Sequence, residues 1–215
     1  MAIDICRDIR GVALPELVER LEQRLAEDEF GFEGNPNRGR YGIDDWRLNQ
    51  FSKKYIHHLL ARLTSYVEVQ SGETDRFPEY VNRSIKNPYD IEHLWSSDPS
   101  RYADEFEIEE EFRSARDHVA GLVLLPADVN RSYGGKPFDE KAPHYVKQNL
   151  YAASLTNAAY DHRPKFNAFI EYSNLPFKPY QSFGKEEQAD RRELVKQLVY
   201  RVWSPDRLRS YLPGE

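Results

Sequence analysis

Cysteine is nearly absent from this 215-residue chain, in which Cys6 stands alone. That count excludes a disulfide framework and a cysteine-rich zinc knuckle, and it fits a reducing compartment. No apolar run approaches the roughly 18 residues of a membrane span, and the N-terminus lacks the basic-then-apolar pattern of an export signal. The expectation is a soluble, cytoplasmic protein with no membrane partner. Internal repeats are missing. The segment NRSYGGKP carries glycines but not the strand–GxxxxGKS/T–helix order that cradles nucleotide phosphates. Positive charge is not in excess either: the formal net charge is −6, which taken alone argues against a nucleic acid partner.

Distribution softens that last exclusion. Seven acids crowd Ser96 to Phe112 against the single Arg101, whereas Arg113 to Lys147 holds six bases against four acids. An acidic insert therefore sits beside a mildly basic segment. Hydrophobic residues make up 40% of the chain and aromatics 13%, enough for a folded core.

The pattern is mostly helical. Pro15 at a first helical position precedes Leu17, Val18, Leu21 and Leu25 on one face, and the glycines of Gly31 to Gly42 mark a loop. A longer helix follows, capped by Asp44 or Asp45, with Trp46, Phe51, Tyr55, Leu59, Leu60, Leu63 and Val67 along one side. His57 and His58 are neighbours on it, face different directions and do not form a metal pair. Residues 104 to 117 read as an acidic helix whose Phe106, Ile108 and Phe112 are too sparse for a deep core. VAGLVLL (residues 119 to 125) reads as a strand, apolar throughout. Pro143 can open another helix through Val146, Leu150 and Ala153. Residues 160 to 184 have no clean period and read as loop with at most a short helix. Lys185 to Trp203 closes the chain as an amphipathic helix.

Chemistry concentrates between Tyr89 and Lys141. YDIEHL is a short strand after Pro88 that ends in Glu92-His93; VAGLVLL follows the acidic insert; Asn130 lies in the next, helical segment. Strand, strand, helix with an imidazole at the first strand's end is the layout of a ββα-metal site. A neutral imidazole can deprotonate water near pH 7. The carboxylate of Glu92 and the amide oxygen of Asn130 suit Mg²⁺ or Mn²⁺, one ion per site. Asp90 shares a face with Glu92 and is a further acidic candidate. Adjacent residues face opposite sides of an ideal strand, so Glu92 and His93 flank one site only if the backbone turns there. Arg131 and Lys136 stand where a nucleic acid backbone would pass. His118, His144 and His162 have no ligand spacing among themselves.

YDIEHL, GLVLLPADVNRS and KPFDEK resemble the His-Me finger (HNH) nuclease domain at the C-terminus of GmrSD-type, modification-dependent restriction enzymes. The closing helix with Arg191-Arg192 and Trp203 is similar too. The resemblance implies an α+β, mostly helical fold with a ββα-metal core in a helical bundle, divided as residues 1–85 (support), 86–150 (core) and 151–215 (C-terminal helices). It implies His93 as general base, Glu92 and Asn130 as metal ligands, and Lys141 as a supporting or phosphate-contacting base. It further implies DNA as substrate, and an N-terminal NTP-hydrolysing, modification-sensing domain in the same parent protein. Two positions depart from the family pattern: Ser96 stands where a proline is common, and Gly121 where a middle Asn braces the loop holding the base. A catalytically degenerate DNA-binding or protein-interaction module is the alternative those departures allow.

Overall fold

The computed structural model describes residues 14–27, 32, 34–35 and 40–210. Cys6 and half of the glycine loop at 31–42 lie outside the described residues. Helix α1 is Leu14–Glu27, followed by the short antiparallel pair β1 (Gly34–Asn35) and β2 (Arg40–Tyr41). Next come α2 (Lys53–Gln70), α3 (Phe77–Val81), strand β3 (Tyr89–His93), α4 (Glu109–Arg116), strand β4 (Leu122–Pro126) and α5 (Ala127–Tyr133). The chain continues through α6 (Phe138–Tyr145), α7 (Leu150–Ala153), α8 (Ala158–Asp161), α9 (Pro164–Ser173), α10 (Lys185–Trp203) and α11 (Pro205–Arg209). The fold is thus mostly helical around a small two-stranded antiparallel sheet, an α+β arrangement. No helix among the described residues is long and apolar enough to cross a membrane.

β3 and β4 pair antiparallel, with Glu92 opposite Val123 and His93 opposite Leu122. The all-apolar LVLL of β4 is explained by its surroundings: Leu122, Val123, Leu124 and Leu125 are all buried, with α2, α5 and α7 packed against the strand. A strand covered on both faces has no polar side and so no alternation. Its outer edge also needs a partner, because a buried carbonyl left unpaired is costly. Asn149 supplies one, donating from Nδ2 to Leu124 O at 2.6 Å while its Oδ1 caps α7 at Ala152 N. Helices α2 and α10 close the core over this sheet, and one cluster of buried hydrophobics runs from Phe32 to Trp203.

Several sequence expectations are corrected. The long helix starts at Lys53 with Ser52 at its N-cap position, not at Asp44 or Asp45. Asp45 instead belongs to a single 3-10 turn (Ile43–Asp45), leaving Trp46 buried in the lead-in and Phe51 fully outside the core. Val119–Gly121 is a 3-10 turn, so the strand begins only at Leu122. Pro143 lies inside α6 and not in its first turn. The aromatic stretch after residue 160 contains the ten-residue α9, built on Phe166 and Phe169. The acidic helix covers only 109–116, and its Phe112 is core after all. Phe112 stacks on Trp95 (5.9 Å between centroids, 9° between planes) and on Tyr102 at 5.2 Å. Those rings come from separate turns of the insert, so no helical period announces them.

Candidate active site

Everything around the end of β3 follows from one feature of a two-stranded sheet. Alternate carbonyls of β3 point away from β4 and must find other donors. At Tyr89 the donors are His57 Nε2, at 2.8 Å, and the Arg83 guanidinium. At Ile91 the donor is Asn130 Nδ2, at 3.0 Å from α5. At His93 it is Lys141 Nζ, at 2.6 Å from α6. Two residues singled out for chemistry, Asn130 and Lys141, thus serve the backbone of the strand that carries the histidine.

The His93 ring leaves the strand on the face opposite to Glu92. Its Nε2 donates to Asp117 Oδ1 at 2.8 Å. Pairing with a carboxylate makes Nε2 the protonated nitrogen and leaves the Nδ1 lone pair as the basic position. Burial lowers the pKa of His93 below the ordinary imidazole value; the Asp117 hydrogen bond opposes that, and the charge of Arg116 reinforces it. The ring is therefore neutral at pH 7 and able to accept a proton. His93 lines a groove of about 320 Å³ shared with Asn49, Gln50 and Lys53 from before and within α2, with Asp90, and with Asn130. Because Asn130 spends its amide nitrogen on Ile91, its remaining polar atom is the oxygen. Asp90 pairs at the surface with Arg83 at 2.8 Å.

Glu92 is not in that groove. It is 5% exposed, and Oε1 meets Lys141 Nζ at 2.7 Å. Burial raises the carboxyl of Glu92 and lowers the ammonium of Lys141, each opposed by the other partner. Lys141 is itself 1% exposed. It has no path to a phosphate here and clamps the strand end through Glu92 and the His93 carbonyl. The sequence expectation that Glu92 and His93 flank one open site is corrected accordingly: the strand keeps its alternation to the last residue. Among the described residues, no three His, Cys, Asp or Glu side chains converge as a cation cage. Asn130 and Asp90 are the groove-lining residues that carry the hard oxygens Mg²⁺ prefers, with Asp90 already engaged by Arg83; Glu92 as placed is not among them. Arg131 and Lys136 are exposed on α5 and just beyond it.

Sequence reasoning missed Asp117. It stands at the C-cap of α4, and its backbone oxygen accepts from Leu48 N at 2.7 Å. The one signal was an acid in the segment RDHVAG, five residues before the strand partner of His93. Gly121 also acquires a physical reason. A Cβ there would come within 2.9 Å of Gln188 Nε2 and 3.3 Å of Arg116 O. Gln188, reaching in from α10, donates from that same nitrogen to Ala115 O at 2.7 Å. A side chain from the far helix thus occupies the space beside residue 121 and holds the chain just ahead of Asp117. Ser96 is likewise buried, donating from Oγ to Gly135 O at 2.6 Å and fastening the insert to the turn after α5. His118 is a core histidine: Nδ1 accepts from Ala120 N, Nε2 faces Asp44 O, and burial pulls it down to about 4.

A larger cleft of about 690 Å³ lies elsewhere, between Tyr102, Phe138 and the start of α10. Asp104, Glu105, Asp139, Glu140, Glu186 and Glu187 are on its walls, a charge pattern that repels phosphate. No curated protein and no solved structure matches the chain. The family described as GmrSD restriction endonucleases, C-terminal domain, matches residues 42–197, which span β3, the insert, β4 and most of α10. The chain belongs to the family of GmrSD restriction endonuclease C-terminal domains.

Proposed function

We propose that this domain is a metal-dependent DNA endonuclease or nickase of the HNH type, acting in a phage-defence restriction system. The observation that carries the reading is the His93–Asp117 pair: an imidazole held below its ordinary pKa by burial, bonded through Nε2 to a carboxylate, in a residue that lines a groove. In the proposed reaction Nδ1 of His93 takes the proton of the attacking water, while Asp117 holds the ring and stabilises the imidazolium that forms. Asn130 and Asp90 are the residues that would hold one Mg²⁺ or Mn²⁺ at the groove. When bound, such a cation supplies charge stabilisation on the scissile phosphate and the leaving oxygen. Lys53 lines the groove, and the exposed Arg131 and Lys136 are assigned as further backbone contacts. The assigned partner in the parent protein is an N-terminal NTP-hydrolysing, modification-sensing domain, and the assigned compartment is the cytoplasm.

The test is relaxation of supercoiled plasmid with Mg²⁺, Mn²⁺ or EDTA. Cation-dependent nicking that falls about a thousandfold in His93→Ala, at unchanged thermal stability, is the expected result. Equal traces of nicking in both proteins would sink the reading. One observation favours a second reading, a non-cleaving DNA-binding or interaction module. Glu92 is committed to Lys141, so fewer acidic oxygens reach the groove than a self-contained cation site uses. Under that reading the plasmid is bound and left intact at every cation concentration.

A further inference from the structure

We propose that Phe51 is a nucleobase-stacking residue at the lip of the His93 groove. The inference rests on the DNA-cleaving reading above and extends it to how the substrate is gripped. Phe51 is 78% exposed, ahead of Tyr172, Ile108, Val69 and Tyr200 among the large exposed hydrophobics. A single exposed apolar side chain is ordinary; its mounting here is not. Asn49 Oδ1 accepts from both Phe51 N (2.9 Å) and Ser52 N (3.0 Å). Ser52 Oγ donates to Arg47 O at 2.7 Å and accepts from Asn49 N at 2.9 Å. The ring is therefore held out on a closed, doubly pinned turn.

That turn is tied directly to the catalytic pair. Leu48 N donates to the backbone oxygen of Asp117, the residue whose carboxylate orients His93. Asn49, Gln50 and Lys53, on either side of Phe51, line the same groove as His93 and Asn130. Lys53 and Lys54 follow, both exposed. An exposed aromatic two residues before a lysine that lines the His93 groove matches a nucleotide: phosphate on the lysine, base on the ring. Base–aromatic stacking tolerates every base, because each has a π face, and an apolar wedge at a base step also unstacks and kinks the duplex. A protein segment would find the apolar ring but no use for the adjacent lysine and the groove.

The experiment uses the full chain carrying His93→Ala, so that bound DNA stays intact, and a short duplex with 2-aminopurine at successive positions around the cut site. With Phe51 present, the emission should change on binding at one position beside the scissile phosphate. Phe51→Ala should abolish that change and weaken binding about tenfold. Phe51→Trp should retain both, and Phe51→Leu should keep part of the affinity without the optical signal. Identical affinity and emission in Phe51→Ala would overturn the assignment while leaving the nuclease reading intact. Full recovery of affinity by Phe51→Leu would overturn stacking in favour of a plain apolar contact, as for a protein partner. Failure of the unsubstituted-ring protein to bind DNA at all would overturn both. The residue is 78% exposed and lies outside the buried hydrophobic cluster, so equal melting temperatures are expected throughout.

Discussion

Glu92 and His93 are neighbours in sequence and live in opposite worlds. One face of the strand end is dry: Glu92 and Lys141 meet there under Tyr133 and Tyr145, and burial shifts every ionisable group toward its neutral form. The other face is open, and there a single imidazole is held by Asp117 beside amide and lysine side chains. The difference teaches that the buried pair is scaffolding for the half-buried one beside the groove. Lys141 reaches the His93 carbonyl from below, so the position of the ring depends on an ion pair that no substrate can touch.

The comparison breaks most completely if the dry face is broken. Lys141→Met leaves Glu92 buried without its cation and should destabilise the fold by about 3–5 kcal/mol, read from denaturant unfolding. Adding Glu92→Leu should recover most of that loss, since an apolar pair replaces a buried ionic one at little net cost. If the single change is silent, the pair is not the clamp described.

On the open face, Asp117→Asn should slow nicking on the order of 10- to 100-fold, by loosening the ring and removing its tautomer lock. The pH profile gives the sign. Burial already holds His93 below about 6.5, and Asp117 works against burial. Without the carboxylate the acidic limb of activity should move to lower pH, even as the plateau falls. A limb that moves upward would contradict the electrostatics.

Smaller again is the brace behind Asp117. Gln188→Ala should lower nicking a few-fold with little loss of substrate affinity. Gly121→Ala should cost about 1 kcal/mol of stability in the parent chain and less in the Gln188→Ala background, because the crowding atom is gone. Additive effects would separate the two positions. The smallest effect is at the rim. Arg131→Ala and Lys136→Ala should each weaken DNA binding uniformly across sequences and reduce the salt slope by about one.

How legible this was differs residue by residue. β4 announced itself because a strand buried on both faces must be apolar at every position, and α10 because its heptad-like stripe has nowhere else to go. The place of His93 at a strand end was legible too. Asp117 was not: it acts through a 2.8 Å contact across 24 positions, and local sequence carries no trace of such a pairing. Gln188 was less visible still, being one polar residue in a helix of polar residues, distinguished only by pointing inward. The start of α2 was misplaced because Asp44 and Asp45 look like caps, while Ser52 sits unobtrusively eight residues later. Phe106 and Phe112 were read as too sparse for a deep core because the rings they pack on, Trp95 and Tyr102, lie outside the acidic helix and share no period with them.

Periodicity and residue type alone determined that this chain forms a mostly helical protein around two short strands, with an imidazole at the end of the first. Those are local properties, governed by which faces must be hidden from water. Tertiary structure decided the rest: that Glu92 turns inward to Lys141, that Asp117 and not a neighbour in sequence holds the His93 ring, and that a glutamine from α10 fills the space at Gly121. Each of those is a meeting of side chains from distant segments, and only packing determines which distant segments meet.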